Sequence, residues 1–318
     1  MLTFVLRRLG QLLVVVLLAS IVLFAALQVV PGDPARRILG THAPQEQVDA
    51  KRAELGLDRP LVEQYLDFAG GVPAGDLGTS LGAGQSVADL VSAGLPITLQ
   101  LVLLALAIAL AAAIPIAIVS AAKPGGWVDN ALTAVTIVST SVPTFVWGLS
   151  MVLLFSVTFK LLPSSGYVPF GEDPVGWLKS MTMPAVALAL PSIGTLGRVG
   201  RAALLESMRE PFMHFARSKG LGRWRLYLVH ALKHAAVPIV AVAGAEFAYI
   251  LGDAVVVEWI FALPGTGKLM VDAFAQRDYP IIQGVALVYT VLVVLGGLLA
   301  DVLQAKLDPR MRLGVRTA

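Results

Sequence analysis

Long charge-free apolar runs alternate with short polar segments along this chain of 318 residues. Six runs approach or exceed the roughly 20 residues that a helix needs to cross a hydrocarbon core. They are Leu9–Val30, Ile97–Ala122, Asn130–Phe159, Ser180–Gly197, Ala235–Gly252 and Ile281–Ala300. In lipid every backbone N–H and C=O must find its partner inside its own segment, so the runs read as helices. The predicted fold is an all-α integral membrane protein with six transmembrane helices. Asn130–Phe159 carries no charge and reads as one span. Ser180–Gly197 is shorter and holds Pro184 and Pro191, which kink a helix or shift its start. Arg7 and Arg8 before the first run resemble the start of a signal peptide. That run is 22 residues long, however, and Pro31-Gly-Asp-Pro34 is no small-residue cleavage site, so it reads as an uncleaved span.

The rest of the composition narrows the function classes. The chain is 57% hydrophobic and 14% charged, too apolar for a soluble domain. With no cysteine, it offers no disulfide, thiol nucleophile or Cys-ligated metal site. The net charge of +3 does not mark a nucleic-acid binder, because the basic residues gather at the ends of apolar runs. With both termini in the cytoplasm, fifteen Lys and Arg lie inside and nine outside, and that bias sets the orientation. Eight of the inner ones (Arg198, Arg201, Arg209, Arg217, Lys219, Arg223, Arg225 and Lys233) sit in one loop.

The chain then divides into an N-terminal segment with the first span (1–30), an extracytoplasmic helical insertion (31–95), a transmembrane core (96–305) holding the cytoplasmic loop 198–234, and a cytoplasmic tail (306–318). In the insertion, Pro44 and Gly56 bracket one helix. Asp58 and Pro60 start a second through Tyr65 to Ala69, and Ser86 caps a third, Val87–Ala93. Its excess of Asp and Glu suits a solvated cap or a docking surface for an extracytoplasmic partner, with the cap ahead. In the outer loop 259–280 the apolar residues are expected at the membrane surface, followed by a helix over Leu269–Ala275.

Several motifs carry less chemistry than they first promise. Gly265-Thr-Gly-Lys268 resembles the end of a phosphate-binding loop, but that loop needs Gly where Ala262 stands and Ser or Thr where Leu269 stands. Nucleotide chemistry therefore has to come from another chain. His230 and His234 are one helical turn apart, yet Ala231 replaces the Glu of a zinc protease, so they read as polar-face residues. No catalytic set is visible. Glu246 is the one carboxylate well inside a span; such a group faces a cavity or a partner helix, and hydrogen bonding and pore lining stand equal. Ser139-Thr-Ser141-Val-Pro143 permits close helix packing or, through the proline, a flexible gate. Ser141, Pro143 and Glu246 are the candidate pathway or gate residues.

The basic loop contains a short helix. Pro211 suits a first helical turn, and Phe212, Phe215 and Ala216 recur at helical spacing as an apolar face. Arg217 and Lys219 favour the negative C-terminus, and Gly220 stops the helix. A helix this short is a weak membrane binder and fits a protein groove better.

At this point the sequence resembles the B-type permease subunit of peptide-class ABC importers, those for dipeptides, oligopeptides, nickel and glutathione. The resemblance covers nearly the whole chain. It runs through Pro31-Gly-Asp-Pro34, Leu55-Gly-Leu-Asp-Arg-Pro60, Gly75-Asp-Leu-Gly78, Ser141-Val-Pro-Thr-Phe145 and Leu162-Pro-Ser-Ser-Gly-Tyr167. It continues through Ala216-Arg-Ser-Lys-Gly-Leu221, His230-Ala-Leu232, Val257-Glu-Trp-Ile-Phe261, Pro264-Gly-Thr-Gly267, Arg277-Asp-Tyr-Pro280 and Leu307-Asp-Pro-Arg310.

The resemblance implies a type I importer permease with the MetI-like fold. It also implies a coupling helix, with Phe212, His214, Phe215, Ala216, Arg217, Ser218, Lys219, Gly220 and Leu221 at the contact with an ATP-hydrolysing subunit. The implied partners are a homologous second permease, two ATP-binding subunits, an extracytoplasmic substrate-binding protein and the lipid bilayer, with no nucleic acid. This chain would bind no cofactor and catalyse nothing; ATP and Mg would belong to the ATPase subunits. Three positions depart from the family pattern. His214 replaces a Glu, Pro211-Phe212 replaces an acidic-Tyr pair, and Pro238 comes late. The expected substrates are di- or oligopeptides, with nickel, glutathione or haem-like ligands as alternatives. The rival classes are an ion-gradient-driven six-helix carrier and a membrane-bound enzyme. Few buried ionisable groups, no evident inverted repeat and no catalytic set support either.

Overall fold

Helix starts and stops follow local chemistry along the chain. A computed structural model describes residues 2–29, 33–40 and 42–308; Pro31, Gly32 and Arg310, and with them most of the 306–318 tail, lie outside the described residues. Helix α1 covers Leu2–Val29, and within it Gly10–Ala26 is an apolar stretch. The insertion holds α2 (Pro34–Leu39), α3 (Gln45–Glu54) and α4 (Leu61–Gly71). Asp33 caps α2 by accepting the Ala35 N–H at 3.0 Å, with Pro34 at a first-turn position. The following helices are α5 (Val87–Ala122), α6 (Trp127–Ser141), α7 (Thr144–Met151, running on as a π-helix over Val152–Thr158) and α8 (Pro174–Ser207). Then come α9 (Pro211–Ser218), α10 (Arg223–Arg225, continued by the π-helix Leu226–Ala231), α11 (Leu232–Ile260), α12 (Thr266–Gln276) and α13 (Tyr279–Leu307).

Among the described residues, four helical stretches are long and apolar enough to cross a membrane: Val87–Ala122, Pro174–Ser207, Arg223–Ile260 and Tyr279–Leu307. The pair α6 and α7 passes as a fifth, bent by 100°. The run 130–159 is therefore not one straight span. Val142 precedes Pro143, and a pre-proline residue is pushed out of the helical region; its φ and ψ are −99° and 123°. Pro184 and Pro191 in α8 exert the same push without breaking that helix, and so do the exposed Pro96 and Pro115 within α5, so the break at Pro143 does not follow from exposure of the proline.

Two further boundaries differ from the sequence expectation. Val87–Ala93 and Ile97–Ala122 are one helix rather than two, because Val87, Val91 and Thr98 along it are all buried. In the loop after α11, Phe261 and Leu263 are buried in the chain itself, not laid on a membrane surface; Phe261 also fixes Gly166 by accepting its N–H at 2.9 Å.

The residues form two compact units. In the first (Leu99–Leu263 with residues 2–4 and 295–308), α8 packs between α6 and α11. Gly194 lets α6 approach closely: a side chain there would lie 2.8 Å from Ser139 Oγ, and the Gly194 carbonyl accepts from Thr136 Oγ1 at 3.1 Å. In the second (Val5–Thr98 with Pro264–Val294), α1 meets α4 through Ser20 and Tyr65 hydroxyls 2.9 Å apart. Gly194→Val should overpack this contact and cost about 1–3 kcal/mol. Gly252 faces open space, so Gly252→Ala should leave stability unchanged or raised. Thermal unfolding of the two variants in detergent checks both outcomes.

Candidate functional site

The short basic helix α9 is built as a bracket with one face inward and one outward. Pro211 starts it, and the Lys219 and Gly220 N–H groups close its last turn on Phe215 and Arg217 carbonyls at 3.2 and 2.9 Å. Gly220 has φ of +77° and nothing within 4 Å of where a side chain would be. Backbone conformation, not space, therefore asks for glycine here.

The expected apolar face of Phe212, Phe215 and Ala216 is split. Ala216 points inward with Met213, which is fully buried. These two join a core of Leu204, Met208, Leu226, Tyr227 and Ala231 with Ala117 and Ala121 of α5, and Leu221 packs against it. Phe212 and Phe215 face out, 36% and 64% exposed. The helix turns 100° per residue, so the one-residue shift from 212 to 213 decides which face meets the core. Met213 is the residue the sequence reading missed; its signal was the spacing of 213 and 216 with Met208, which equally fits an apolar stripe.

The outward face is aromatic and basic. Lys219 Nζ lies 4.5 Å over the Phe215 ring, a cation–π contact. The Phe212 ring lies 4.6 Å from that of His234. His214 and Arg217 are exposed, and Ser218 Oγ donates to the His214 carbonyl at 3.1 Å. Behind the helix, the buried Tyr227 hydroxyl donates to the Ala121 carbonyl at 3.0 Å, which satisfies an orphan acceptor at the end of α5.

Beside this core an ion pair joins α5, α6 and α8, with the Asp129 carboxylate buried and the Arg201 side chain 29% exposed. Asp129, in the first turn of α6, accepts from Ser120 Oγ at 2.6 Å, from the Gly125 N–H at 2.8 Å and from an Arg201 guanidinium nitrogen at 2.8 Å. Arg201 belongs to α8 and had signalled only topology by its charge. With three donors the carboxylate is well compensated, as a buried charge must be.

The candidate gate residues differ in what their side chains do. The Ser141 hydroxyl is used within its own helix, donating to Ile137 O at 2.7 Å. Pro143 begins α7 at the 100° break. Glu246 is buried on α11 and accepts from Ser192 Oγ at 2.5 Å, which ties α11 to α8 and fits hydrogen bonding.

The phosphate-loop resemblance at Gly265–Lys268 dissolves into packing. Thr98 Oγ1 accepts the Thr266 N–H at 2.9 Å and meets Thr266 Oγ1 at 2.8 Å. The start of α12 is thus occupied by a side chain of α5, and Lys268 pairs with Asp272 at 2.6 Å.

Motifs far apart in sequence converge elsewhere in the second unit. Leu55–Arg59, Asp76–Gly78 and Tyr279–Pro280 line one cleft of about 560 Å³. Arg52 pairs with Asp33 and Asp58 at 3.4 and 3.3 Å, and Arg59 with Asp67 and Glu63 at 2.5 and 3.3 Å. The hydrogen bond to Asp67 holds the Arg59 guanidinium above its ordinary pKa. Asp278 is buried and fastens the turn 80–82, accepting from Ser80 Oγ at 2.6 Å and the Gly82 N–H at 3.0 Å.

Gly220→Val should strain the αL position by about 1–2 kcal/mol, while Gly220→Asn, which tolerates that conformation, stays near wild type. Amide hydrogen exchange across α9 should speed up only in the valine variant. Asp129→Ala leaves Arg201 without its buried partner and should cost about 3 kcal/mol. Adding Arg201→Leu should recover part of the lost thermal stability.

Comparison with known proteins places this architecture. Residues 113–313 match the family described as binding-protein-dependent transport system inner membrane component, and residues 1–102 match the N-terminal region of such membrane components. A peptide transport system permease protein of Brucella abortus (strain 2308) is 39% identical over 308 residues, covering 97% of this chain and 98% of the relative. The dipeptide transport system permease protein of Escherichia coli (strain K12) is 33% identical, covering 98% and 99%. The crystal structure of an amino acid ABC transporter shares the fold, with a TM-score of 0.52 over 69% of this chain and 94% of that one at 19% identity. The chain is thus a member of the inner-membrane permease family of binding-protein-dependent ABC transport systems.

Proposed function

We propose that this permease subunit forms half of a pathway for small peptides and that α9 is the helix through which an ATP-hydrolysing partner drives it. The observation that carries the reading is the two-sided build of α9. Met213 and Ala216 root it in the core of its own chain, while Phe212 and Phe215 remain exposed amid Lys219, Arg217 and His214. Exposed aromatic and cationic side chains of this kind suit the centre of a protein interface. A helix fixed on one face and engaged on the other transmits a push as rigid-body motion.

In this reading a second, homologous permease completes the pathway, two ATP-binding subunits supply ATP and Mg, and an extracytoplasmic binding protein delivers substrate. The chain itself performs no chemistry. Peptides are favoured because the relatives from Brucella abortus and Escherichia coli are described as permeases of peptide and dipeptide transport systems. Glu246 with Ser192 ties two spans together, and the bend at Pro143 supplies the hinge of a gate.

The test is reconstitution of the assembled transporter in proteoliposomes. Peptide uptake should require ATP, and uptake by this chain alone without ATP would establish the ion-gradient carrier instead. Phe215→Asp places a carboxylate on the docking face. It should lower peptide uptake at least about tenfold, as expected for an interface hot spot, while the chain still inserts into the membrane. Normal uptake in that variant removes α9 from the coupling role.

A further inference from the structure

The chain route from α9 to the next span is soft. It passes through Gly220 and Gly222 and then the π-helical stretch Leu226–Ala231, a geometry that is rarer and less regular than an α-helix. A push delivered to α9 along that route would be absorbed by glycine torsions before reaching α11. A direct contact bypasses it. The Phe212 ring, at the start of α9, lies against the His234 ring in the first turn of α11, with centroids 4.6 Å apart and planes inclined at 35°. Phe215, on the same outward side, carries Lys219 Nζ over its ring and is nearly twice as exposed.

The two aromatic residues of α9 thus differ in use: Phe215 faces outward and Phe212 is stacked on the chain's own next span. We infer that His234 is a positioning residue for energy coupling, the contact through which α9 moves α11 as one body with itself. The inference rests on α9 being the docking helix. It explains why a histidine stands in the first turn of an apolar helix without a metal-binding partner set. Its flat ring is what the stack requires, and one end of an imidazole stays in water while the face is covered. Met213 and Ala216 hold α9 to the core by packing, and the ring pair adds an oriented contact directly to the first turn of α11.

The experiment uses the assembled transporter in proteoliposomes and reads ATP hydrolysed per peptide imported. His234→Ala and His234→Gln should raise that ratio roughly three- to tenfold, the range a lost aromatic pair represents, with the ATPase subunits retained at the wild-type level. His234→Phe, which keeps a ring, should restore the ratio to near wild type. Phe212→Ala should match His234→Ala, and the double variant should be no worse than either alone, as two ends of one contact require.

Normal coupling in His234→Ala, failure of the phenylalanine to rescue, or additive effects in the double variant would each overturn the inference. So would loss of assembly in both the alanine and glutamine variants, since that assigns the histidine to folding. Phe215→Asp keeps the two readings apart. If it couples normally, α9 is not the docking helix; if it uncouples while His234→Ala does not, only the role of His234 falls.

Discussion

A helix end leaves four N–H and four C=O groups without intrahelical partners, and in a chain that spans lipid those groups have little water to turn to. Much of the polar chemistry of this protein answers that constraint. Thr98 receives the Thr266 N–H at the start of α12, Tyr227 closes a carbonyl at the end of α5, and Asp33 and Asp173 cap α2 and α8. Asp129 gathers the ends of α5 and α6 and binds Arg201 of α8. The side chains that resemble sites in sequence are, at several points, the ones that close helix ends.

The same economy shapes the short helix α9. A helix of eight residues is too short to be stable by itself, so α9 exists because Met213 and Ala216 are buried in a core that α5, α8 and the π-helical turn already form. That burial leaves the opposite face free to carry Phe215 and the basic residues. Rooting and exposure are two consequences of one amphipathic pattern. They give a short helix both the stability to hold its shape and the surface to meet another protein.

Much of the architecture was legible because hydrophobic length is a strong signal. The long apolar runs are helices, and Pro211 and Gly220 mark the ends of α9. What was not legible depended on competition between local preference and packing. Pro96, Pro115, Pro184, Pro191 and Pro238 carry a similar local penalty inside helices that run on through them, yet the helix breaks at Pro143. The face of α9 was read one residue out of phase, since 212, 215 and 216 and 213 and 216 both fit a helical stripe. Nothing in the sequence joins Asp129 to Arg201, 72 residues away, or brings Leu55–Arg59 to Tyr279.

The sequence by itself determined that this is a helical membrane protein, where most of its long helices run, where α9 starts and stops, and which family it resembles. Those properties rest on hydrophobic length, capping residues and motif order, all local along the chain. Tertiary structure decided which face of α9 is buried and which charges meet. Those outcomes depend on what lies across the interface, where burial and compensation of charge are worth more than any single residue's preference.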